Sequence, residues 1–401
     1  MSTEQPNNPA APPPPNFLYV LKEMLRAADK VSDLIFSPGR PPQIEIAGKL
    51  VPVPIVGLEK LTAAHTAGIA KLIIGNHQIA AESLEKTGSA DLSFSAPGEA
   101  RFRVNIFKQR GTHAIVMRVI PMRPPRFSDF NLPEQLKEIG EIKNGIVLVT
   151  GPTGSGKSST LAAIIDLINE THSFHIVTIE DPIEFLHNHK NSTIHQRELH
   201  SDTPSFAMAL RAALRQAPKV ILVGEMRDRE TIEVALEAAE TGHLVLSTLH
   251  TIDASKTVDR IIGVFPKNEE KAIRTRIAQS FRFIISQRLI PLPDGKGRVA
   301  AIEILKSTMR TREYIEKGET EGKSLIDAMK QGDQDGMQTF DDVIEHLIRS
   351  GVLTVEGALP YATNANNLLL QIADLAGAPP PKAAETKPPA QDDSMLDMIE
   401  R

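Results

Sequence analysis

One octapeptide, Gly151-Pro-Thr-Gly-Ser-Gly-Lys-Ser158, constrains this chain more than any other segment. It has the form G-x-x-x-x-G-K-[ST] of a phosphate-binding loop. The residues before it, Gly145-Ile-Val-Leu-Val-Thr150, read as a buried strand, and Ser159-Thr-Leu-Ala-Ala-Ile-Ile-Asp-Leu-Ile168 after it reads as a helix. Strand, loop and helix in that order are the context the motif requires. Glycines let successive backbone N–H groups turn toward phosphate oxygens, and the helix N-terminus adds its dipole. Gly151, Pro152, Thr153, Gly154, Ser155, Gly156, Lys157, Ser158 and Ser159 are therefore the candidate nucleotide-contacting residues. Lys157 supplies charge for the β- and γ-phosphates, and Ser158 is the candidate Mg²⁺ ligand.

The remaining composition narrows the field. A chain of 401 residues predicts two or three domains with ample core. A net charge of −5 argues against a protein that coats nucleic acid, and the absence of Trp argues against a stacking platform for single strands. No run of apolar residues is long enough for a membrane span, and Met1-Ser-Thr-Glu-Gln-Pro6 does not read as a secretory signal. Zero cysteines rule out disulfides and thiolate metal sites, zinc included, and fit the cytoplasm.

Pattern shifts divide the chain. Residues 1–16 and 376–401 are Pro-rich and offer little to bury, so both read as disordered tails. The second ends in a short amphipathic patch, Ser394-Met-Leu-Asp-Met-Ile-Glu-Arg401, read as a frayed end or a docking peptide. Residues 17–120 predict an α+β domain, with helices over 17–28, 61–75 and 77–86. Its strands are expected at 43–47, 90–95, 101–107 and 113–120. Residues 121–130 read as a proline-stiffened linker. From 131 to 300 apolar strands alternate with helices, which predicts an α/β domain with a mostly parallel sheet. Its strands are expected at 145–150, 175–179, 219–223, 243–247 and 298–302. A helix through 206–215 is expected to open on Asp202-Thr-Pro-Ser205, and Gly242 to end a helix over 230–240. Residues 301–375 read as helices only.

Two acidic clusters fall at strand ends, where an open α/β sheet places its ligands. Glu180 and Asp181 follow strand 175–179, with Glu184 close behind. Glu225 follows Val220-Ile-Leu-Val-Gly224, an apolar run ending in an acid, which is a Walker B pattern. A P-loop enzyme needs one carboxylate near Mg²⁺ and one to orient or deprotonate the attacking water. Glu225 is the candidate for Mg²⁺, partly through water, and for water positioning; Glu180 is the other candidate for activating water. His243 and His250 bracket the next strand. Strand alternation puts positions seven apart on opposite faces, so they are not obvious metal partners, and a histidine near a strand is more often a satisfied core group than a catalyst.

Taken in order and spacing, these blocks resemble a known family. Gly151–Ser158, Thr178-Ile-Glu-Asp-Pro-Ile-Glu-Phe185, Ile221-Leu-Val-Gly-Glu-Met-Arg-Asp228 and Thr241-Gly-His243 with Thr248-Leu-His-Thr251 are similar to the Walker A, Asp, Walker B and His boxes of the secretion ATPase superfamily. Arg101-Phe-Arg-Val-Asn105, Gln196-Arg-Glu198, Ile285-Ser-Gln287 and Gly336-Met-Gln-Thr339 place the resemblance in its type IV pilus retraction branch, the PilT/PilU group. It covers roughly residues 17–370. The resemblance implies a homohexameric ring of RecA-like ATPase cores, each with a PAS-like N-terminal domain, hydrolysing ATP with Mg²⁺. It implies N-terminal arginines acting on the nucleotide, with Arg103 and Arg118 matching and Arg110 ranking lower. It implies nucleotide sensing or structural support of the site for His243 and His250. It also implies work at the inner face of the cytoplasmic membrane against a pilus platform protein, with a paralogous pilus ATPase as a further partner.

Two departures stand out. Retraction motors of the PilT type carry a signature near Ala-Ile-Arg-Asn-Leu-Ile-Arg-Glu, where this chain reads Arg310-Thr-Arg-Glu-Tyr-Ile-Glu-Lys-Gly318. Leu214-Arg-Gln-Ala-Pro-Lys219 and Pro293-Asp-Gly-Lys-Gly-Arg298 are closer to the PilU type, while Gly224-Glu-Met-Arg-Asp228 is closer to PilT. The sequence thus admits an autonomous retraction motor or an accessory ATPase subunit with weak turnover. An assembly or secretion ATPase is less favoured, because those carry a four-cysteine zinc insert and this chain has no cysteine. A nucleic-acid translocase is disfavoured by the charge.

Overall fold

The computed structural model describes residues 16–376, apart from Met122 and Asn131. The two expected tails, with the Ser394–Arg401 patch, lie outside the described residues except for their inner ends at 16 and 376. The chain opens with α1 (Phe17–Arg26), whose Phe17, Val20, Leu21 and Met24 are buried on one face. Then come β1 (Asp33–Phe36), β2 (Gln43–Ile46), β3 (Lys49–Pro52), α2 (Ala63–Ile74) and α3 (Gln78–Thr87). The hairpin strands β4 (Ser89–Ala96), β5 (Ala100–Gln109) and β6 (Thr112–Ile120) complete the unit. The strands form one antiparallel six-stranded sheet in the order β3-β2-β1-β6-β5-β4. On β5 the side chains of Phe102, Val104 and Ile106 go inward, while Arg101 and Arg103 share the other face. The segment expected as a linker is not a bare spacer: it holds a 3₁₀ turn, Phe127–Asp129, and Phe127 packs on the core behind it.

A seven-stranded sheet follows, in the order β13-β12-β7-β11-β10-β8-β9. Its strands and helices run β7 (Gly145–Thr150), α4 (Lys157–Thr171), β8 (His175–Glu180), β9 (Thr193–Glu198), α5 (Phe206–Ala213), β10 (Val220–Val223) and α6 (Arg229–Glu240). They continue through β11 (Leu244–Leu249), α7 (Ala254–Ile262), α8 (Glu270–Ser280), β12 (Phe281–Pro291) and β13 (Arg298–Lys306). All neighbours are parallel except β12 with β13. Both faces are covered, as a parallel sheet requires. On β7, Ile146 and Leu148 face one apolar cluster while Val147 and Val149 face the other.

Three expectations are corrected here. The segment from 301 onward is not helical throughout, because β13 continues to Lys306 before α9 (Met309–Lys317). The cap of α5 is Ser205, which accepts the Met208 N–H at 3.2 Å, whereas Asp202 accepts the Glu198 N–H at 2.8 Å. The sheet also has two strands beyond those expected, β9 and β12. The C-terminal helices α9, α10 (Leu325–Lys330), α11 (Phe340–Arg349), α12 (Val355–Ala358), α13 (Ala365–Gln371) and α14 (Ala373–Ala376) follow. Among the described residues no helix is long and apolar enough to cross a membrane.

Candidate nucleotide site

Register places the chemistry. Thr150 of β7 pairs with Leu249 of β11, and Val223 of β10 pairs with both Ser247 of β11 and Ile179 of β8. The carboxyl ends of four parallel strands therefore meet at one edge, so the loop after β7, Glu180, Glu225 and His250 converge there. They border a cavity of about 610 Å³, within the size range of small-molecule sites.

The phosphate-binding loop is built as its glycines demand. Gly151 has φ +146°, and a Cβ there would come within 2.5 Å of the Gln287 carbonyl oxygen and of Ser155 Oγ. Gly156, at φ +92°, leads into α4. Thr153, Gly154, Gly156, Lys157, Ser158 and Ser159 line the cavity. Gly151, Pro152 and Ser155 stand behind it. The carbonyls of Gly151 and Pro152 accept from Lys157 Nζ at 2.9 and 3.1 Å. Ser155 Oγ is buried without a partner among the described residues. Burial lowers the Lys157 pKa, with Glu225 and Glu184 pulling it back up. A cation held in a glycine cradle at a helix N-terminus fits a polyphosphate.

The two carboxylates differ in surroundings. Glu180 sits among partners: Thr178 Oγ1 donates at 2.6 Å and Gln196 Nε2 at 3.0 Å. Burial nonetheless pushes its carboxyl above the usual range. Glu225 pairs with Arg227 Nε at 2.5 Å and lies 3.5 Å from His250 Nε2. His250 Nδ1 is in turn 3.5 Å from Lys157 Nζ, so lysine, histidine and glutamate form one chain across the strand ends. Asp181 and Glu184 line the same cavity.

Other expected residues fall elsewhere. His243 precedes β11 and lies at the opposite edge of the sheet, as the pairing of Leu244 with Gly145 fixes. Its Nδ1 lies 2.9 Å from the Ala238 carbonyl near the end of α6, away from the cavity. Arg103 and Arg118 are cross-strand partners on an exposed face of the first sheet and do not line the cavity. Arg118 Nε donates to Asp33 at 3.0 Å. Arg110 is in the β5–β6 turn with φ +47°. Residues the sequence reading did not single out also border the cavity: Arg227, Phe206, His187, Leu289 and Arg298. Burial lowers the His187 pKa to about 4, so its ring is neutral at physiological pH. Arg227 was legible as the cation two residues past the Walker B acid; Leu289 and Arg298 were not, because they arrive through the β12–β13 hairpin.

A doubly covered parallel sheet, a phosphate-binding loop after β7 and acids at the neighbouring strand ends define a RecA-like P-loop ATPase. The chain belongs to the type II/IV secretion system protein family, whose model matches residues 70–323. It is 44% identical over 341 residues to the type IV pilus retraction ATPase PilT of Pseudomonas aeruginosa, covering 85% of this chain and 97% of that one. It is 40% identical over 341 residues to the type IV pilus ATPase PilU of the same organism, covering 85% and 87%. A crystal structure of the pilus retraction motor PilT with bound ADP superposes with a TM-score of 0.77 at 41% identity, covering 86% of this chain and 97% of that one.

Proposed function

We propose that this chain is the ATP-driven motor that retracts a type IV pilus. In this reading it works as a homohexamer, peripheral at the inner face of the cytoplasmic membrane, against a platform protein of the pilus base. A paralogous pilus ATPase is a further partner. The observation that carries the reading is the convergence of Lys157, Glu225 and Glu180 on one cavity in a chain that spans nearly the whole of a retraction ATPase.

The residues divide the work. Loop amides from Gly151 to Ser159 and the Lys157 ammonium bind the phosphates of ATP. Ser158 and Glu225 are the residues that would hold Mg²⁺, which neutralises phosphate charge when bound. Glu225 orients the attacking water, and Glu180, whose raised pKa suits a base, is the alternative acceptor of its proton. Asp181 borders the same cavity. His250 bridges Lys157 and Glu225 and so responds to phosphate occupancy. Arg103 and Arg118 are exposed, adjacent and outside their own chain's cavity, which suits presentation to a nucleotide held by a neighbouring subunit.

A second reading, an accessory ATPase that supports a partner motor, is favoured by the unusual Arg310–Gly318 stretch in and after α9. Steady-state hydrolysis of Mg-ATP by purified material sized by light scattering separates the two, with Lys157→Ala as blank. Clear turnover by a hexamer supports the autonomous motor. A hexamer that binds ATP and barely turns it over moves the assignment to the accessory subunit. A monomer overturns the ring in both readings.

A further inference from the structure

Between the first sheet and the ATPase core lies a buried carboxylate that neither the phosphate-binding loop nor the acidic pair uses. Glu198 closes β9, is 3% exposed, and lies opposite Glu180 in the parallel register. Its Oε2 takes three donors: Arg101 Nη2 at 2.8 Å, Ser93 Oγ at 2.9 Å and the Ile183 N–H at 3.2 Å. Two of these come from β5 and β4 of the first sheet. The third comes from the loop after β8, between Asp181 and Glu184, both of which border the nucleotide cavity.

We infer that Glu198 is a positioning residue that ties the first sheet to the nucleotide-site loop, so that docking of that sheet and occupancy of the cavity are thermodynamically linked. The inference rests on the cavity's being a nucleotide site and is independent of any role in a pilus. A single oxygen shared by donors from both units cannot hold one of them without fixing the other. Moving the loop toward bound phosphate draws the Ile183 N–H away from Oε2 or carries the carboxylate with it, and the Arg101 contact strengthens or breaks accordingly. Desolvation makes a buried ion pair a weak source of stability, and a registry role is the better attested use of such a pair. The pair is also incompletely engaged. Arg101 Nε is buried with no hydrogen-bond partner among the described residues, although a guanidinium on a carboxylate can use two parallel N–H groups. A half-engaged pair has a second arrangement within reach. Arg101 shares its face of β5 with Arg103, whose cross-strand partners are Ser93 and Arg118, so the same contact fixes where that arginine pair is presented.

The test uses the full chain with Arg101→Met, Glu198→Gln, both together, and Ser93→Ala, which removes one donor without stranding a charge. Affinity for a fluorescent ADP analogue is read by anisotropy. Hydrogen exchange of segments 89–103 and 180–186 is followed with and without Mg-ADP. Either charge-removing change is expected to alter affinity by about five- to tenfold, a typical coupling between sites. The double variant is expected to be no worse than the single ones, because one contact is lost only once. Nucleotide is expected to change protection of both segments in the unmodified chain, but only of 180–186 once Arg101 is replaced. A residue that merely holds the fold together would not abolish that selective response. Affinity within twofold of the parent in every variant overturns the linkage, as does a segment 89–103 that still responds in Arg101→Met. If Arg101→Met does not fold, Ser93→Ala decides: a weakened response of 89–103 supports the linkage, and an unchanged one overturns it. Failure of the unmodified chain to bind nucleotide overturns the nucleotide reading itself, and the linkage with it.

Discussion

Glu225 and Glu180 stand at neighbouring strand ends, and their surroundings separate their roles. Glu225 is tied to Arg227 and lies near His250 in the chain that leads to Lys157. Glu225→Gln keeps the shape and loses the charge, so turnover is expected to fall roughly a hundredfold while ATP affinity stays within a few-fold. Single-turnover hydrolysis beside equilibrium binding checks this, and unchanged turnover removes Glu225 from the mechanism. Glu180 is half-buried at the cavity wall, and desolvation raises its pKa. A base must be unprotonated, so a raised pKa means its active fraction falls as pH is lowered through that value, earlier than for an ordinary glutamate. If Glu180 accepts the proton, kcat falls off at a higher pH than an ordinary glutamate would give, and Glu180→Gln cuts the rate sharply and removes that limb from the residual activity. A pH profile of kcat for parent and variant gives the answer; an acidic limb surviving in Glu180→Gln assigns it to another group.

At the scale of elements, the parts legible in the sequence were those whose local pattern and tertiary environment agree. Strands β7, β8, β10 and β11 are near-continuous apolar runs because both faces are buried, and such runs are visible without a partner. The phosphate-binding loop and the acids at strand ends were legible for the same reason, since register carries them to one edge. The missed strands lack that signal. β9, Thr193-Ile-His-Gln-Arg-Glu198, is an edge strand with polar side chains, held by pairing to β8. β12 begins directly at the end of α8, with no Gly or Pro to mark the change from helix to strand. Its hairpin with β13 brings Glu303 against the start of α7, where it accepts the Ala254 N–H at 2.9 Å beside Asp253, Ser286 and Arg288. Burial pushes the Glu303 pKa up to about 7. The folded state therefore holds this proton more tightly than the unfolded chain, so its contribution to stability is present below about pH 4.5 and is lost as pH rises toward 7. Glu303→Gln is expected to flatten that dependence, by up to roughly 3 kcal/mol for a shift of this size. Thermal melts at pH 5 and pH 8 measure it; an equal pH response in parent and variant would show that Glu303 does not titrate in this window.

Across the whole molecule, the apolar interior is not one body. The two faces of the seven-stranded sheet and the first unit each have their own cluster. The last helices form a fourth around Phe340, Ile344, Leu353, Ala358 and Leu368, reaching the sheet through Ile290 and Ala301. So small a core depends on polar fastening, and Arg288 of β12 provides it. Its guanidinium stacks 3.7 Å from the Phe340 ring centroid and donates to the Tyr361 carbonyl at 2.6 Å and to Thr363 Oγ1 at 3.2 Å. Asp341 closes the same corner by accepting the Thr363 and Asn364 N–H groups at 2.6 and 3.0 Å. A ring contact and charge-assisted hydrogen bonds at a partly buried site favour docking, while desolvation of the cation, which lowers the Arg288 pKa, opposes it. The net value is about 1–2 kcal/mol. Arg288→Met preserves the apolar stem and removes the rest. It is expected to speed hydrogen exchange in residues 340–372 by about five- to thirtyfold, while α4 and the phosphate-binding loop keep their protection. The same acceleration in α4 would show instead that these helices and the ATPase core unfold as one unit, and that Arg288 stabilises the whole rather than fastening a part.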